Sequence, residues 1–148
     1  MTEGDSITMA ATVALVITLA GCAATPQYGT FIEGHEQAQY AIAKDAAIKL
    51  ASEYPPETHA IRLERQADEL FGDRLATELR KQGFSLQERA VAGGQREVAV
   101  RYVLDTLKGT ELLRLSIYLP RRRLSRPYSQ RSRQVLPNGP WCLEVQDD

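Results

Sequence analysis

An alternation of apolar and polar side chains in the C-terminal half of the chain constrains the fold more than any other feature. Apolar residues occupy every second position in segments 97–107 and 111–119, and these are Val98, Val100, Tyr102 and Leu104, then Leu113, Leu115, Ile117 and Leu119. This period of two is typical of strands with one buried face, because successive side chains of a strand point to opposite sides. Lys108 and Gly109 make a short connection, which predicts an antiparallel pair.

Four shorter segments are also predicted to be strands. They are 58–64, 84–89, 124–130 and 141–145. Turns are predicted at residues 90–95, which contain Gly93-Gly94, and at Pro137-Asn138-Gly139-Pro140, because glycine and proline favour the dihedral angles of turns. Segment 58–64 stands apart from the others, since it lies between two predicted helices.

Two segments with apolar residues three and four positions apart are predicted to be helices. The first, 35–53, has an alanine-rich stripe and ends before Pro55-Pro56, because proline restricts the residue that precedes it. The second, 66–82, is followed by Gly83, which is typical of the position just after a helix. Its apolar stripe consists of Leu70, Phe71, Leu75 and Leu79.

The order of these elements predicts an α+β protein. A helix, a strand and a second helix precede a run of strands, so we expect two helices packed on one face of a mostly antiparallel sheet of four to five strands. A chain of 148 residues, 43% of them hydrophobic, has enough apolar side chains for one core. The net charge of −1 does not require a nucleic-acid partner.

An apolar run near the N-terminus resembles the signal peptide of a bacterial lipoprotein. The run from Met9 to Leu19 is shorter than the roughly 20 apolar residues that a membrane-spanning helix needs. Small residues after it fit an extended chain in a peptidase cleft, and Cys22 would become the acylated first residue of the mature protein. The lipobox consists of Leu19, Ala20, Gly21 and Cys22.

Two other interpretations of this segment stay open: an uncleaved membrane anchor, and a buried helix with an ordinary core cysteine. A signal peptide normally opens with Lys or Arg, whereas residues 1–8 contain Glu3 and Asp5 and no basic side chain. This composition leaves the true start site open. The lipobox interpretation divides the chain into a signal peptide at 1–21, a lipidated tether at 22–34 and a single domain at 35–148.

Acylation of Cys22 would leave Cys142 without a partner in the chain, because the sequence contains two cysteines. A disulfide framework and a cysteine-based metal site are then excluded. Trp141 and Leu143 flank Cys142, so we expect this cysteine to be buried rather than paired between two chains.

The sequence contains no spacing typical of a catalytic or metal site, and we expect neither enzymatic activity nor a bound metal. The two histidines, His35 and His59, fall in different predicted elements. His59 is interpreted as a structural or surface residue. Asp105, at the end of a strand, is interpreted as a cap for the turn at Lys108-Gly109 rather than as a general base.

Two groups of residues are candidates for contact with a partner. Six arginines crowd thirteen residues, and they are Arg121, Arg122, Arg123, Arg126, Arg131 and Arg133. They are consistent with a solvated hairpin protected by its charge, with contact to acidic protein or anionic lipid, or with phosphate binding. Tyr28, Phe31 and Ile32 are apolar for a tether, so they either pack back on the domain or contact a partner.

Several segments, taken in order after the lipobox and the alanine-rich helix, resemble the TrbH family of conjugal transfer lipoproteins. The segments are 55–63 (PPETHAIRL), 71–84 (FGDRLATELRKQGF), 102–105 (YVLD), 113–116 (LRLS), 124–128 (LSRPY) and 139–141 (GPW). The resemblance covers nearly all of the expected mature chain, and its specificity comes from the order of the segments. The acidic N-terminus and Pro127 depart from the pattern.

The resemblance implies a non-enzymatic lipoprotein of the type IV secretion apparatus that forms mating pairs during plasmid transfer. Its only attached group would be the acyl and diacylglycerol lipid on Cys22, such as palmitate. The expected partners are other channel proteins and the membrane, and neither nucleic acid nor a small-molecule substrate is expected. Ala23 follows the cysteine instead of Asp, which favours the periplasmic face of the outer membrane. A ligand-, lipid- or DNA-binding lipoprotein that uses the arginine-rich hairpin is the alternative.

Overall fold

A computed structural model describes residues 27–64, 69–87 and 96–146. The predicted turn at residues 90–95 and the lipobox lie outside these ranges. Within them, the elements follow one another as β1 (Gly29–Thr30), α1 (Glu36–Glu53), β2 (His59–Leu63), α2 (Leu70–Lys81), β3 (Arg96–Thr106), β4 (Leu113–Leu119), β5 (Arg122–Arg131), β6 (Gln134–Pro137) and β7 (Cys142–Val145).

The sheet is built around the long antiparallel strands β3, β4 and β5. Leu104 lies opposite Leu115 in the β3–β4 pair, and Ile117 lies opposite Leu124 in the β4–β5 pair. Strands β1 and β2 run parallel to β3, whereas β6 and β7 run antiparallel to β5. The predicted α+β class is confirmed; the described residues form a mixed sheet of seven strands, where four to five were expected.

Both helices cover the face of the sheet that carries the alternating apolar residues. The ring of Phe71 on α2 lies 5.0 Å from the ring of Tyr102 on β3. On α1, the buried residues Ile42, Ala46 and Leu50 belong to the same core. A buried leucine or phenylalanine contributes about 1.5–3 kcal/mol, whereas an exposed ion pair contributes about 0–1 kcal/mol. The core therefore stabilises this fold far more than its surface charges do.

Helix ends follow the signals in the sequence. Helix α1 ends at Glu53, just before Pro55-Pro56. After α2, Gly83 has a positive φ of 96°. Its N–H donates to the Arg80 carbonyl at 3.0 Å, and the Phe84 N–H donates to the Leu79 carbonyl at 3.1 Å. These two bonds satisfy carbonyls that a helix end otherwise leaves unpaired.

The edge of the sheet at β2 is covered by a short segment rather than by a full strand. A strand was predicted at residues 84–89, but the described part of it makes only a parallel bridge between Leu86 and Ile61. The Ile61 N–H donates to the Ser85 carbonyl at 3.0 Å, and the Gln87 N–H donates to the Ile61 carbonyl at 2.9 Å. The outer backbone groups of β2 are therefore partly occupied.

The sheet begins inside the segment that was expected to be a tether. Gly29 and Thr30 form β1 and pair with Val103 and Leu104 of β3. The Phe31 N–H adds a hydrogen bond of 2.7 Å to the Leu104 carbonyl. Neither helix among the described residues has the length and apolar character needed to cross a bilayer.

Candidate docking surface

Strand β7 is an exposed edge strand with apolar side chains. All four of its residues are exposed, and the side chains of Leu143 and Val145 are 54% and 74% exposed. These two side chains lie on the same face, because residues two apart along a strand point the same way. Among the described residues, strand β7 pairs with β5 on one side and with no strand on the other, so within that part of the chain its outer side is an open edge.

The hydrogen-bond register shows which backbone groups of β7 point outward. The Gln146 N–H donates to the Arg121 carbonyl at 2.9 Å, so the backbone of residue 146 faces β5. In an antiparallel pair this direction alternates from one residue to the next. The backbones of Cys142 and Glu144 therefore face β5, whereas those of Leu143 and Val145 face away from it.

The neighbouring edge strand, β6, is blocked by a proline. The Asn138 N–H donates to the Pro127 carbonyl at 2.8 Å, so the backbone of residue 138 faces β5. By the same alternation, Val135 and Pro137 face outward, and Pro137 has no N–H to offer a further strand. Pro127 is unusual because it lies in an inner strand and has no N–H. Strand β6 pairs with residues 128–131 and strand β7 with residues 122–125, so Pro127 falls in the gap between them, where β5 does not need to donate a hydrogen bond.

Arg126 fixes the turn that leads into β7. Its Nε donates to the Gly139 carbonyl at 2.8 Å, and its guanidinium lies 5.7 Å from the centre of the Trp141 ring. Its Nη1 lies 3.0 and 3.1 Å from the two carboxylate oxygens of Asp45 on α1. This arginine therefore connects the helix layer to the segment between β6 and β7.

Tyr128 completes the same cluster from inside the core. Its hydroxyl donates to Asp45 at 2.7 Å, and the ring is 1% exposed. Burial raises the pKa of the Tyr128 phenol well above its ordinary value, and the hydrogen bond to Asp45 and the charge of that carboxylate act in the same direction. The hydroxyl therefore remains protonated and keeps its donor role.

The other arginines of the hairpin divide into two sets. Arg122 lies 3.3 Å from Glu53 of α1, and Arg123 pairs with Glu144 of β7. The hydrogen bonds and charge of Tyr118 and Glu144 raise the pKa of Arg123, while burial opposes them. The remaining three are exposed, and they are Arg121, Arg131 and Arg133.

In the segment 28–32, Gly29 and Thr30 pair at the opposite edge of the sheet, and the Tyr28 side chain reaches over to the inner strand β4. The Tyr28 ring packs edge-on against Tyr118 at 5.2 Å, and the Arg101 guanidinium lies 4.9 Å from its centre. Ile32 packs against the core, whereas Phe31 is 51% exposed. Of the two expectations for these residues, packing on the domain holds for Tyr28 and Ile32, and Phe31 remains available for a contact.

Two interpretations from the sequence are wrong. Cys142 is exposed rather than buried, because it lies opposite Ser125 on the face of an edge strand that no helix covers. Asp105 does not cap the following turn. It lies opposite Arg114 in the β3–β4 register, and the two side chains form hydrogen bonds of 3.0 and 2.6 Å.

The contacts of His59 fit the structural role that the sequence analysis gave it. His59 lies against Tyr54, with ring centres 5.3 Å apart, and its Nδ1 lies 2.9 Å from the Thr58 hydroxyl, so its contacts are structural. In the part of the chain that the structure describes, no three His, Cys, Asp or Glu side chains are grouped as metal ligands would be. The lipobox residues lie outside that part.

In the part of the chain that the structure describes, an α+β domain presents β7 as an exposed edge strand, and an exposed sheet edge can bind an extended segment by strand addition. The chain belongs to the TrbH family of conjugal transfer proteins, since the family model described as conjugal transfer protein TrbH matches residues 25–145. The resemblance found in the sequence is thereby confirmed. No curated protein and no solved structure shows significant similarity to the chain.

Proposed function

We propose that the protein is a lipid-anchored, non-enzymatic assembly component of the conjugal transfer apparatus. Its domain would hold a channel subunit at the periplasmic face of the outer membrane. The observation that carries this proposal is the open edge of β7 in a member of a conjugal transfer family. Leu143 and Val145 supply both exposed apolar side chains and outward backbone groups there.

The anchor in this proposal is the lipid on Cys22. A single acyl chain binds a membrane only marginally, and two or more chains hold a protein stably. Cleavage before Cys22 with full acylation would therefore be sufficient for attachment. The lipobox at residues 19–22 and the apolar run before it support this assignment.

The docking step in this proposal is the addition of one strand to β7. The incoming segment would be an extended stretch of another apparatus subunit with alternating apolar residues. Its main chain would bond to the N–H and carbonyl groups of Leu143 and Val145, and its side chains would cover theirs. Main-chain bonds supply affinity in this mode, and side-chain contacts supply specificity.

The anchor is tested by the mass of the protein extracted from membranes. We expect a chain that begins at Cys22 and carries acyl groups, and we expect Cys22→Ser to move the protein out of the membrane fraction and reduce plasmid transfer. An unmodified chain that begins at Met1 would contradict the anchor.

The docking edge is tested by co-purification from cells that carry the whole transfer operon. Val145→Pro removes an N–H that points away from β5, so we expect the domain to keep its own ladder while capture of a channel subunit falls about tenfold, a loss of about 1.4 kcal/mol. Val145→Thr is the matched control, because it keeps the N–H and the β-branched shape.

Thermal unfolding shows whether each variant is folded before its binding is compared. Equal capture by the wild-type and Val145→Pro proteins would contradict strand addition at β7. Recovery of the wild-type protein with no channel subunit at all would contradict the assembly role.

The alternative, binding of a ligand, anionic lipid or DNA by the arginine-rich hairpin, has less support. Arg122, Arg123 and Arg126 are paired with Glu53, Glu144 and Asp45 within the domain. An arginine already paired with a carboxylate offers less attraction to an anion. A steep salt dependence of DNA binding, lost on Arg→Ala changes across residues 121–133, would favour this alternative.

A further inference from the structure

An open cavity is bordered by α1, α2 and the turn between β5 and β6. Its volume is about 510 Å³, within the range of about 300–1,000 Å³ that is typical of small-molecule sites. Such sites are mostly lined by apolar side chains, whereas the residues around this cavity are polar or charged. They are Glu36, Gln37, Tyr40, Arg74 and Arg133. We therefore expect a polar ligand.

The two arginines of this cavity differ from those that connect the hairpin to the rest of the domain. Arg74 is exposed on α2, and Arg133 is exposed in the turn between β5 and β6. Among the described residues, no carboxylate forms an ion pair with either of them, whereas Arg122, Arg123 and Arg126 are each paired. A guanidinium binds phosphate and carboxylate oxygens through two parallel hydrogen bonds. The cavity therefore presents two groups that suit an oxyanion.

Tyr40 holds one of these arginines beside the cavity. The Arg74 guanidinium lies 5.8 Å from the centre of the Tyr40 ring, and the Lys81 ammonium lies 5.8 Å from the same centre. Lys81 is paired with Glu78 at 2.6 Å, so the unpaired cation beside the ring is Arg74. Attraction of a cation to an aromatic ring uses no hydrogen bond of the guanidinium. The N–H groups of Arg74 can therefore still bind a ligand while the ring limits its movement.

The other polar residues restrict the kind of anion. With two cations and one anion, the charged side chains around the cavity have a net charge of +1. An acidic peptide with several carboxylates would meet repulsion from Glu36. A single phosphate group would pair with the arginines, and hydroxyl groups next to it could donate to the Glu36 carboxylate and bond to the Gln37 amide. A phosphate carried on a ring with several hydroxyl groups supplies both kinds of contact.

We propose that the cavity binds a phosphorylated sugar, with the phosphate on Arg74 and Arg133 and the hydroxyl groups on Glu36 and Gln37. Tyr40 is a positioning residue that acts through Arg74. This site requires neither a lipid on Cys22 nor strand addition at β7, so its test is independent of theirs. A soluble sugar phosphate and a phosphorylated inositol headgroup of a lipid have the required chemistry in common.

NMR titration of the full detergent-solubilised protein tests the site through the Nε–H signals of Arg74 and Arg133. The probes are glucose 6-phosphate, inorganic phosphate and glucose at equal ionic strength. We expect glucose 6-phosphate to shift both signals to saturation and glucose to shift neither. Inorganic phosphate should bind about tenfold more weakly, because it lacks the hydroxyl contacts. Dibutanoyl phosphatidylinositol 4-phosphate is the lipid-derived probe, and tighter binding of it than of glucose 6-phosphate would identify a lipid as the source.

Substitutions of the two arginines test whether the cavity is the binding site. Arg74→Gln and Arg133→Gln should each raise the dissociation constant of glucose 6-phosphate about tenfold, because one charge-assisted pair is lost. Arg80→Gln on α2 and Arg131→Gln on β5 are matched controls, since each removes an exposed positive charge outside the cavity. They should change the constant by less than about twofold.

The positioning role of Tyr40 has its own readout. Tyr40→Leu removes the aromatic ring, so it should weaken binding, and Tyr40→Phe should restore it because the ring is kept. Equal loss in Tyr40→Phe and Tyr40→Leu would overturn this role.

Three outcomes would overturn the site itself. One is the absence of a saturable shift with glucose 6-phosphate in a protein that unfolds cooperatively. Another is equal affinity for inorganic phosphate and glucose 6-phosphate, which would show an oxyanion contact without recognition of the sugar. The third is an equal loss of affinity in the control variants, which would show attraction to overall charge rather than to the cavity.

Discussion

At the scale of single residues, the domain depends on a small polar cluster inside its helix–sheet boundary. Asp45 accepts hydrogen bonds from Tyr128 and Arg126, and Arg126 holds the Gly139 carbonyl. A neutral phenol and a guanidinium thus share one carboxylate. If one of these two donors is removed, the other still donates to Asp45, so we expect each single substitution to remove only part of the stabilisation that the cluster provides.

The raised pKa of the buried Tyr128 phenol leads us to expect that the stability of the domain falls at high pH. In the unfolded chain this phenol ionises near pH 10, whereas in the folded domain it keeps its proton to higher pH because burial raises its pKa. Above about pH 10 the unfolded state therefore binds fewer protons than the folded state, and the free energy of unfolding falls as the pH rises.

The measurement is urea unfolding of the wild-type protein and Tyr128→Phe at pH 9 and pH 11. At pH 9 the variant should be less stable by about 1–2 kcal/mol, because the hydrogen bond to Asp45 is lost. The difference should shrink by about 1 kcal/mol at pH 11. Ser129→Ala, on the same strand and without an ionisable group, should show a constant difference. A Tyr128→Phe difference that stays constant would contradict the raised pKa.

The residue-scale arrangement was the hardest part to predict from the sequence. The arginine cluster was recognised, but its partners Glu53 and Asp45 lie 69 and 81 positions away in the chain. Such pairs depend on how α1 lies on β5, which composition does not reveal. Cys142 was misjudged for a related reason, because its apolar neighbours do not show that the strand is at an edge.

At the scale of elements, the turn after α2 provides a local test. Gly83 has a φ of 96°, and a Cβ added there would lie 3.7 Å from Pro56 Cβ, an ordinary contact. The cost of Gly83→Ala should therefore come from the backbone alone, about 1–2 kcal/mol. Gln82→Ala, at a residue with an ordinary helical φ of −75°, should change stability by less than about 0.5 kcal/mol.

Chemical denaturation of both variants checks this prediction. If Gly83→Ala were as stable as the wild-type protein, the positive φ at residue 83 would have to be abandoned. A large loss in Gln82→Ala would instead point to a side-chain role at the helix end.

Elements with a strong local pattern were predicted well, and those that depend on distant pairing were not. The alternation in β3 and β4 and the stripes of α1 and α2 identify their own buried faces. Strand β1 has two residues in a segment with glycine and proline, and it forms only because β3 provides a partner edge 74 positions later. Parallel pairing of this kind has no short-range signal in a sequence.

At the scale of the whole molecule, the register of β7 predicts a pattern of hydrogen exchange. The amides of Cys142 and Glu144 point toward β5, so they should exchange slowly, and those of Leu143 and Val145 should exchange rapidly. Binding of a partner strand should slow the exchange of the second pair by an order of magnitude or more. The central strands should be the most protected in both states.

This pattern can be measured by hydrogen–deuterium exchange of individual amides, monitored by NMR spectroscopy on the detergent-solubilised protein. Equal rates along all four residues of β7 in the isolated protein would contradict the register. Protection that appears elsewhere upon assembly, with β7 unchanged, would place the docking surface on another part of the domain.

The difference between the two sides of the sheet also limits how many copies can join. Residues 85–87 cover part of β2, β1 is two residues long, and β6 ends in Pro137, which has no N–H. Among the described residues, this leaves β7, a strand of four residues, as the most accessible edge, with the outward N–H groups of Leu143 and Val145 as its donors. A domain with one such edge can accept a single added strand, and it has no second edge with which to pair a further copy. The expected stoichiometry is therefore one partner per domain, which favours a closed assembly over an open-ended fibre.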